Sequence, residues 1–370
     1  MKKVLLIIAA VLGSSFVLYL PFLLHFSNWL GISIVQSSLN YIYQNYDGLL
    51  YIVPAKTFYN PQLIQALHLE TQLPDIYFAA HLPLYPLFIT AFSFAFGYLK
   101  STIIVNLVFT ILLALFFYYM LIRFHLTKNP FFLVMIFLFL PRFLVVRSIG
   151  APESLFILLI LLSLFSFERS RYWLAGLFGA LAVMTKLPGI LLFAGYGLVF
   201  IERYIKTKKI ELNGIGIFLI PLGLIGVCAW YLVQYKDFFA YFHTGGVVPM
   251  VYPFAAFNFQ AKWVGTAWLE DIVFYFFLYG GALVFLKDNK YRSFFYFALV
   301  FLFAASFVQH RDISRYTLPL WPMVCIAFEK YMTDKRFLGV FILILPAIFF
   351  YAWNFIIFNV MPVGNWVPYL

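Results

Sequence analysis

Charged residues are scarce in this chain: they make up 11% of its 370 residues, while hydrophobic residues make up 64%. The mean hydropathy is +0.94. Soluble globular domains carry about 25% charged residues, because a folded core needs a polar surface around it. The composition therefore excludes that class. It predicts an all-α polytopic membrane protein, whose helices satisfy their own backbone hydrogen bonds in lipid.

Cysteine and acidic residues are also few. Cys228 and Cys325 both lie in apolar segments, which excludes a disulfide framework and a Cys/His metal motif. Asp and Glu number 14 against 25 Lys and Arg, for a net charge of +11. No Lys/Arg-rich run lies on a soluble face, so nucleic-acid binding is set aside, and cytoplasmic loops account for the positive charge. With no visible repeat or linker, residues 1–370 are expected to form one domain.

Long apolar runs, in contrast, are frequent. The first, residues 4–24, has about the ~20 residues that cross a bilayer, and follows Met1-Lys2-Lys3. We interpret it as an uncleaved anchor with a cytoplasmic N-terminus. With it, the chain is expected to have about eleven transmembrane helices. The other runs are residues 101–122, 130–146, 153–167, 173–186, 188–203, 213–233, 269–286, 293–308, 316–331 and 337–358.

Residues 82–98 are apolar too, but Pro83 and Pro86 lie in their first turns. If this segment does not cross the membrane, most of the 25 basic residues lie on the cytoplasmic side. If it crosses, the bias reverses. The positive-inside rule therefore favours a re-entrant or interfacial segment. A large first outer loop, residues 25–81, and a second one, residues 234–268, are then extracytoplasmic. Gly245-Gly246 in the second suits a mobile lid over a site.

The first acidic residue, Asp47, lies in the first outer loop between aromatic residues. Transfer of a sugar from a lipid phosphate to a hydroxyl needs a base that takes the acceptor's proton. The leaving phosphate needs cations rather than an acid. One carboxylate with cations therefore suffices for an inverting transfer, whereas a hydrolase uses a carboxylate pair. The alternative is that Asp47-Gly48 only forms a turn.

Four further polar residues fall on the outer side. His81 is a candidate for orienting an acceptor, or else an interface residue without a specific role. Glu153 opens an apolar run, where a helix N-terminus favours a carboxylate. Arg147 is near enough in sequence to pair with Glu153 or to bind phosphate. Lys186 can bind phosphate as a point charge, or can extend to water without a ligand.

Residues 309–316 are the strongest cationic cluster on the outer side. Arg311 and Arg315 are four residues apart and would share one helix face. An anionic lipid headgroup is their natural ligand. The alternative is a local ion pair between Asp312 and one of the two arginines, which would be worth little.

Five sequence elements occur in a recognisable order: Tyr46-Asp47 with Tyr51, residues 82–87 (LPLYPL), residues 152–156 (PESLF), residues 182–189 (AVMTKLPG) and residues 315–319 (RYTLP). In these elements the chain resembles the GT-C superfamily of membrane glycosyltransferases, and especially its glycosylphosphatidylinositol-type mannosyltransferase branch with bacterial and archaeal relatives. It departs from that branch at Tyr46, where Trp is usual, and at Lys186, where Arg is commoner. No Asp-x-Asp follows Asp47, so no metal motif supports a divalent cation and no cofactor is assigned.

The resemblance implies a GT-C fold, a polyprenyl-phosphate sugar donor and Asp47 as the catalytic base. With it we expect donor-phosphate contacts from Arg311, Arg315, Arg147 and Lys186. Substrate-orienting roles are expected for Tyr46, Tyr51, His81, Glu153 and Tyr316.

The predicted function is inverting transfer of a hexose, chiefly mannose, from a polyprenyl or dolichyl phosphate to a lipid, glycan or protein acceptor. The site would face outward from a prokaryotic plasma membrane or the endoplasmic reticulum membrane. The alternative is a flippase or transporter of a lipid-linked sugar. Such proteins usually carry repeats and polar residues near midspan, whereas the ionisable residues here gather at one face.

Overall fold

The computed structural model describes residues 1–34, 38–45, 47–257 and 269–370, which are predominantly helical. A short antiparallel ribbon pairs β1 (Asn28–Trp29) with β2 (Ile32–Ser33). The α-helices are α1 (Lys2–Leu23), α2 (Asn40–Tyr43), α3 (Ile52–Thr57), α4 (Pro61–Ala66), α5 (Leu84–Phe96), α6 (Tyr98–Arg123), α7 (Pro130–Leu138), α8 (Pro141–Val146), α9 (Glu153–Glu168), α10 (Tyr172–Thr185), α11 (Leu191–Thr207), α12 (Leu219–Tyr235), α13 (Ala240–His243), α14 (Leu269–Leu286), α15 (Arg292–Ser306), α16 (Ile313–Tyr316), α17 (Trp321–Ala327), α18 (Glu329–Met332) and α19 (Lys335–Phe358). Short 3₁₀ helices cover Asp75–Ala80, Leu187–Ile190, Leu212–Phe218, Ala255–Phe257, Leu318–Leu320 and Val367–Tyr369.

Six helical segments among the described residues are long and apolar enough to span a membrane. They are Lys2–Leu23, Tyr98–Arg123, Leu187–Thr207, Leu212–Tyr235, Leu269–Leu286 and Lys335–Phe358. These helices agree with the expected all-α membrane protein. The six are fewer than the roughly eleven spans expected, because the other apolar runs form shorter helices. Pro141, for example, separates α7 from α8, since a proline has no backbone N–H to continue a helix.

Residues 82–98 form α5, which has only 13 residues. At 1.5 Å per residue such a helix is about 20 Å long, shorter than the ~30 Å hydrocarbon core. Gly97 ends α5 at a φ of +74°, a conformation that glycine adopts easily, and α6 begins at the next residue. Helices α10 and α15, which belong to expected spans, have only 14 and 15 residues, so the re-entrant or interfacial position of residues 82–98 stays a prediction.

One end of the helix bundle, which we call the basic end, joins the C-termini of α6 and α11 to the start of α15. The ring of Phe124 stacks 4.2 Å from that of Tyr291. Arg292 pairs with Glu202 at 2.9 Å. The backbone N–H of Ser293 donates to Glu168 at the end of α9. The basic residues of this end include Arg123, Arg169, Arg171, Arg203, Lys206, Lys208, Lys209 and Arg292.

The opposite ends of these helices meet at what we call the site end. There α9 begins and α10 ends, and Lys186 pairs with Glu153. The hydroxyl of Tyr231, near the end of α12, donates to the carbonyl of Ala79. Through these contacts the loops after α1 and after α12 lie beside the start of α9.

Helix α9 is the centre of the bundle and packs between α10 and α6. Its residues from Glu153 to Phe167 are buried except for Leu162 and Phe165. A helix that is apolar on all sides is typical of the interior of a helical membrane bundle. Because α9 is fixed by packing along its length, it holds the Glu153 carboxylate in a defined position at the site end.

Candidate active site

Four charged residues predicted from separate parts of the sequence meet at the site end. Arg315 Nη1 lies 3.9 Å from Asp47 Oδ2. Arg315 Nε donates to Glu153 Oε1 at 2.7 Å, and Lys186 Nζ donates to the same oxygen at 2.8 Å. The cluster therefore joins a carboxylate, a guanidinium, a second carboxylate and an ammonium group in one chain of contacts.

Exposure rises along this cluster toward Asp47. The side chains of Glu153 and Arg315 are 2% and 9% exposed, whereas Lys186 is 21% and Asp47 is 47% exposed. A buried carboxylate needs a partner of opposite charge because desolvation is costly, and Glu153 has two. Asp47 is the member that water and a substrate can reach.

Two glycines bring the Asp47 turn against the loop before α9. A Cβ atom on Gly48 would lie 3.1 Å from the Gly150 carbonyl oxygen, and one on Gly150 would lie 3.0 Å from Thr102 Cβ. Close backbone approach of this kind is where glycine is required. The Leu50 N–H donates to the Asp47 carbonyl at 2.9 Å. Asp47 thus opens a turn, as the structural alternative supposed, and its side chain also faces Arg315.

Tyr51 and His81 form the aromatic wall beside this cluster. The Tyr51 ring meets the ring of His81 edge-on at 4.7 Å and that of Tyr85 at 5.0 Å. Burial lowers the pKa of His81, an effect that the Asp47 carboxylate opposes and the Arg315 guanidinium reinforces. His81 is therefore neutral near pH 7, and its buried Nδ1 has no hydrogen-bond partner within the described ranges.

Tyr316 and Arg311 lie on either side of Asp312, at the edge of the cluster. Tyr316 follows Arg315 in α16, and its ring meets that of His310 edge-on at 5.3 Å. Arg311 is exposed on the loop before α16. Arg315 contacts both Asp47 and Glu153 and is buried, whereas Arg311 is exposed. The two predicted arginines therefore occupy different environments.

Arg147 is not part of this cluster. It is 1% exposed, and its Nε donates to the Leu138 carbonyl at 3.1 Å. Its Nη2 donates to Ser14 Oγ at 2.8 Å, and its Nη1 to Ser15 Oγ at 3.4 Å. Arg147 thereby joins the end of α8 to α1. The prediction that it binds the donor phosphate is not supported, because its guanidinium is enclosed among these oxygens.

An ion pair that was not predicted fixes the start of α16. Arg142 of α8 pairs with Asp312, and its guanidinium lies 4.1 Å above the Phe355 ring. Burial raises the pKa of Asp312, but the guanidinium groups of Arg142 and Arg315 outweigh it and leave the pKa below its usual value. This ion pair links α8 to α16, whereas the alternative considered from the sequence was a pair between Asp312 and one of its neighbouring arginines. The sequence did contain one indication of this ion pair. Arg142 is a single arginine within the apolar run 130–146, and a charged residue at membrane level needs a partner.

The segment after α19 also holds the Asp47 loop, and nothing in the sequence indicated this. The Met361 N–H donates to the Gln44 carbonyl at 2.9 Å. Glu70 accepts from the N–H groups of Gly364 and Asn365 at 2.9 and 3.0 Å. Tyr369 is buried, in a cluster with Leu49 and Leu50.

The described part of the loop after α12, which was predicted to be the second outer loop, lies between the two sides of the site. On one side Gly246 approaches Tyr77, since a Cβ there would lie 2.9 Å from Tyr77 Cε2. On the other, Gln309 N–H donates to the Pro249 carbonyl at 2.9 Å. This position fits the predicted loop over the site. Residues 258–268 of the loop lie outside the described residues, as does Tyr46.

Within the described ranges, no three His, Cys, Asp or Glu side chains are grouped so as to hold a metal ion. No protein-family model matches the chain, and no curated protein matches it. The Asp47–Arg315–Glu153–Lys186 cluster is therefore the main evidence for what the protein does.

Proposed function

We propose that the protein is an inverting membrane glycosyltransferase of the GT-C type. It moves a hexose, chiefly mannose, from a polyprenyl or dolichyl phosphate to an acceptor hydroxyl at the site end. The single observation that supports this most is the 3.9 Å contact between the exposed Asp47 carboxylate and Arg315, whose guanidinium is held by buried Glu153.

In the proposed reaction, the acceptor oxygen attacks the anomeric carbon and the bond from that carbon to the phosphate oxygen breaks. The acceptor proton moves to Asp47, which acts as a general base. The bonding electron pair leaves with the phosphate. Because a single displacement joins the acceptor from the opposite face, the anomeric configuration inverts.

The positions of Arg315 and Lys186 support this reaction. One negative charge disappears from Asp47 when it takes the proton, and one appears on the departing phosphate. Arg315 lies beside Asp47. As negative charge is lost from the Asp47 carboxylate and gained by the phosphate, the guanidinium can move its contact from the carboxylate to the phosphate. Lys186, which is 21% exposed, adds a second positive charge. Fixed charges aimed at developing negative charge are among the strongest catalytic effects.

Glu153 holds these cations in place rather than taking part in proton transfer. It contacts both Arg315 and Lys186 through one buried oxygen. Such a carboxylate keeps the two cations together, because without it they would repel each other across the buried site. The neutral rings of Tyr51 and His81 lie beside the cluster, and in this proposal they orient the sugar.

In the proposed topology, about eleven segments cross the membrane and the N-terminus is cytoplasmic. The basic end carries most of the Lys and Arg residues of the short loops and is the cytoplasmic side. The site end is then extracytoplasmic, where lipid-phosphate sugars serve as donors.

Product formation by an Asp47→Asn variant tests the proposal. Purified protein in liposomes receives a polyprenyl-phosphate mannose carrying a radiolabelled sugar, together with a membrane lipid extract as the acceptor source. Loss of the base is expected to lower transfer by about 10²–10⁴-fold. Asp75→Asn, in the same outer loop, is the matched control and should retain activity. Full transfer by Asp47→Asn excludes the base, and movement of the donor across the bilayer without a product identifies a flippase.

A further inference from the structure

Two adjoining grooves lie on the surface of the bundle at the basic end. One, of about 450 Å³, lies between the end of α11 and the 3₁₀ helix Leu212–Phe218. The other, of about 510 Å³, continues along α12 and past Trp173 at the start of α10. They share Ile215 and Phe218. Each has a volume within the ~300–1,000 Å³ typical of ligand pockets.

The groove along α12 is apolar throughout. Trp173, Ile215, Leu222 and Ile225 line it, and each is more than half exposed. Several contiguous large apolar side chains on a surface mark a site of contact with lipid or with a partner. These residues belong to α10, to α12 or to the 3₁₀ helix before α12.

The groove beside α11 ends in uncompensated positive charge. Glu211 accepts from Arg203 at 3.1 Å and from Tyr172 at 2.6 Å, so its charge is already balanced. Lys208 and Lys209 follow α11, are exposed and make no ion pair with any residue that the structure describes.

The other carboxylate of this corner is also balanced. Glu202 pairs with Arg292 at 2.9 Å and with Lys206 at 2.6 Å. Lys209 itself lines the groove. The groove beside α11 therefore carries the positive charge of Lys208 and Lys209 at its end, next to the apolar groove along α12.

The backbone fixes this arrangement. Lys208, the residue after α11, has a φ of +56°, which turns the chain sharply so that Lys209 and Ile210 lie at the groove. The guanidinium of Arg203 lies 5.5 Å from the Phe167 ring and anchors Glu211 at the groove floor. The lysines and the apolar channel are thus held on the same side of the bundle.

We propose that this pair of grooves is a binding site for an anionic phospholipid. The headgroup phosphate binds at Lys208 and Lys209, and an acyl chain lies along Ile215, Phe218 and Leu222. Charge complementarity selects this occupant: a zwitterionic lipid brings no net charge to the two lysines, whereas an anionic headgroup does. The site is independent of the sugar-transfer reaction, because it lies at the opposite end of the bundle.

Fluorescence of Trp173 tests the site directly. The whole protein is placed in phosphatidylcholine bilayers containing a minor fraction of lipid with brominated acyl chains, which quench nearby tryptophan. We expect brominated phosphatidylglycerol to quench more than the same fraction of brominated phosphatidylcholine. Subtracting the signal of Trp173→Phe assigns the excess to this residue among the eight tryptophans.

The Lys208→Gln/Lys209→Gln variant should need a higher fraction of phosphatidylglycerol for the same excess quenching, by roughly fivefold for each lysine. The control, Lys335→Gln/Arg336→Gln, removes the same charge from the start of α19 and should behave as the wild type. Equal quenching by the two lipids overturns the site. The site is also overturned if the excess quenching persists in the Lys208→Gln/Lys209→Gln variant. The same holds if the Lys335→Gln/Arg336→Gln control loses the excess quenching to the same extent.

Discussion

At the scale of single residues, Glu153 is the group on which the cluster depends most for stability. It is 2% exposed and binds both Arg315 and Lys186. Glu153→Ala leaves two cations facing each other in a poorly hydrated site. Removing one partner of a buried ion pair costs about 3–5 kcal/mol, and we expect a loss of that order in the free energy of unfolding, measured in detergent. A loss similar to that of Asp288→Ala, which removes an exposed carboxylate after α14, would contradict the buried role.

His81 makes stability depend on pH. Because burial lowers the pKa of His81, the folded protein keeps it neutral where the unfolded chain, with a pKa of about 6.5, is protonated. The unfolded state then binds more protons, so stability falls as the pH drops below about 6.5, until the lowered pKa of the folded state is reached. His310, whose pKa burial also lowers, adds to the same fall.

We expect His81→Asn to reduce this fall in stability. The free energy of unfolding is measured at about pH 7.5 and about pH 5, on either side of the ordinary histidine pKa. The difference between the two values should be smaller in the variant than in the wild type. An undiminished difference would mean that His81 is accessible to protons in the folded protein.

The sequence predicted four residues of the cluster correctly but assigned Arg147 to it wrongly. Asp47, Glu153, Lys186 and Arg315 could be predicted, because an ionisable residue beside a bilayer needs a partner or a ligand. Arg147 met the same criterion, yet its partners are serine hydroxyls and a backbone carbonyl, which any apolar helix can supply. Charge alone does not distinguish these two solutions.

At the scale of elements, the apolar runs predicted where helices form. Pro141 separates α7 from α8, whereas α1 and α19 continue through Pro21 and Pro346. The segment after α19 could not be predicted to hold the Asp47 loop. Its contacts use backbone N–H groups, a single carboxylate and Tyr369, and none of these has a periodic pattern. Long-range contacts of this type are set by tertiary packing rather than by local propensity.

Tyr369→Ala tests whether this segment holds the loop in place. Loss of a buried aromatic side chain should loosen both partners, so amide hydrogen exchange is expected to rise in residues 47–53 and in residues 359–370. Val367→Ala, in the same 3₁₀ helix but 73% exposed, should leave both segments unchanged. An increase confined to residues 359–370 would show that the Asp47 loop is stable by itself.

At the scale of the whole molecule, the proposed topology puts the two ends of the bundle in different compartments. Single cysteines introduced as Asp75→Cys or Asp237→Cys, at the site end, should react with an impermeant thiol reagent added outside cells. Lys128→Cys, in the loop after α6, should react only after permeabilisation. Cys228 and Cys325 are buried, and replacing both with Ala removes any background. Labelling of all three positions from one side would contradict the topology.

In the proposed mechanism, Asp47 takes the acceptor's proton while Arg315 and Lys186 hold the sugar donor. This mechanism is tested most directly by single-turnover transfer from bound polyprenyl-phosphate mannose, with donor affinity measured on the same protein. We expect Asp47→Asn to bind the donor as tightly as the wild type but to form product about 10²–10⁴-fold more slowly. Product formation at the wild-type rate, once the donor is bound, would contradict it.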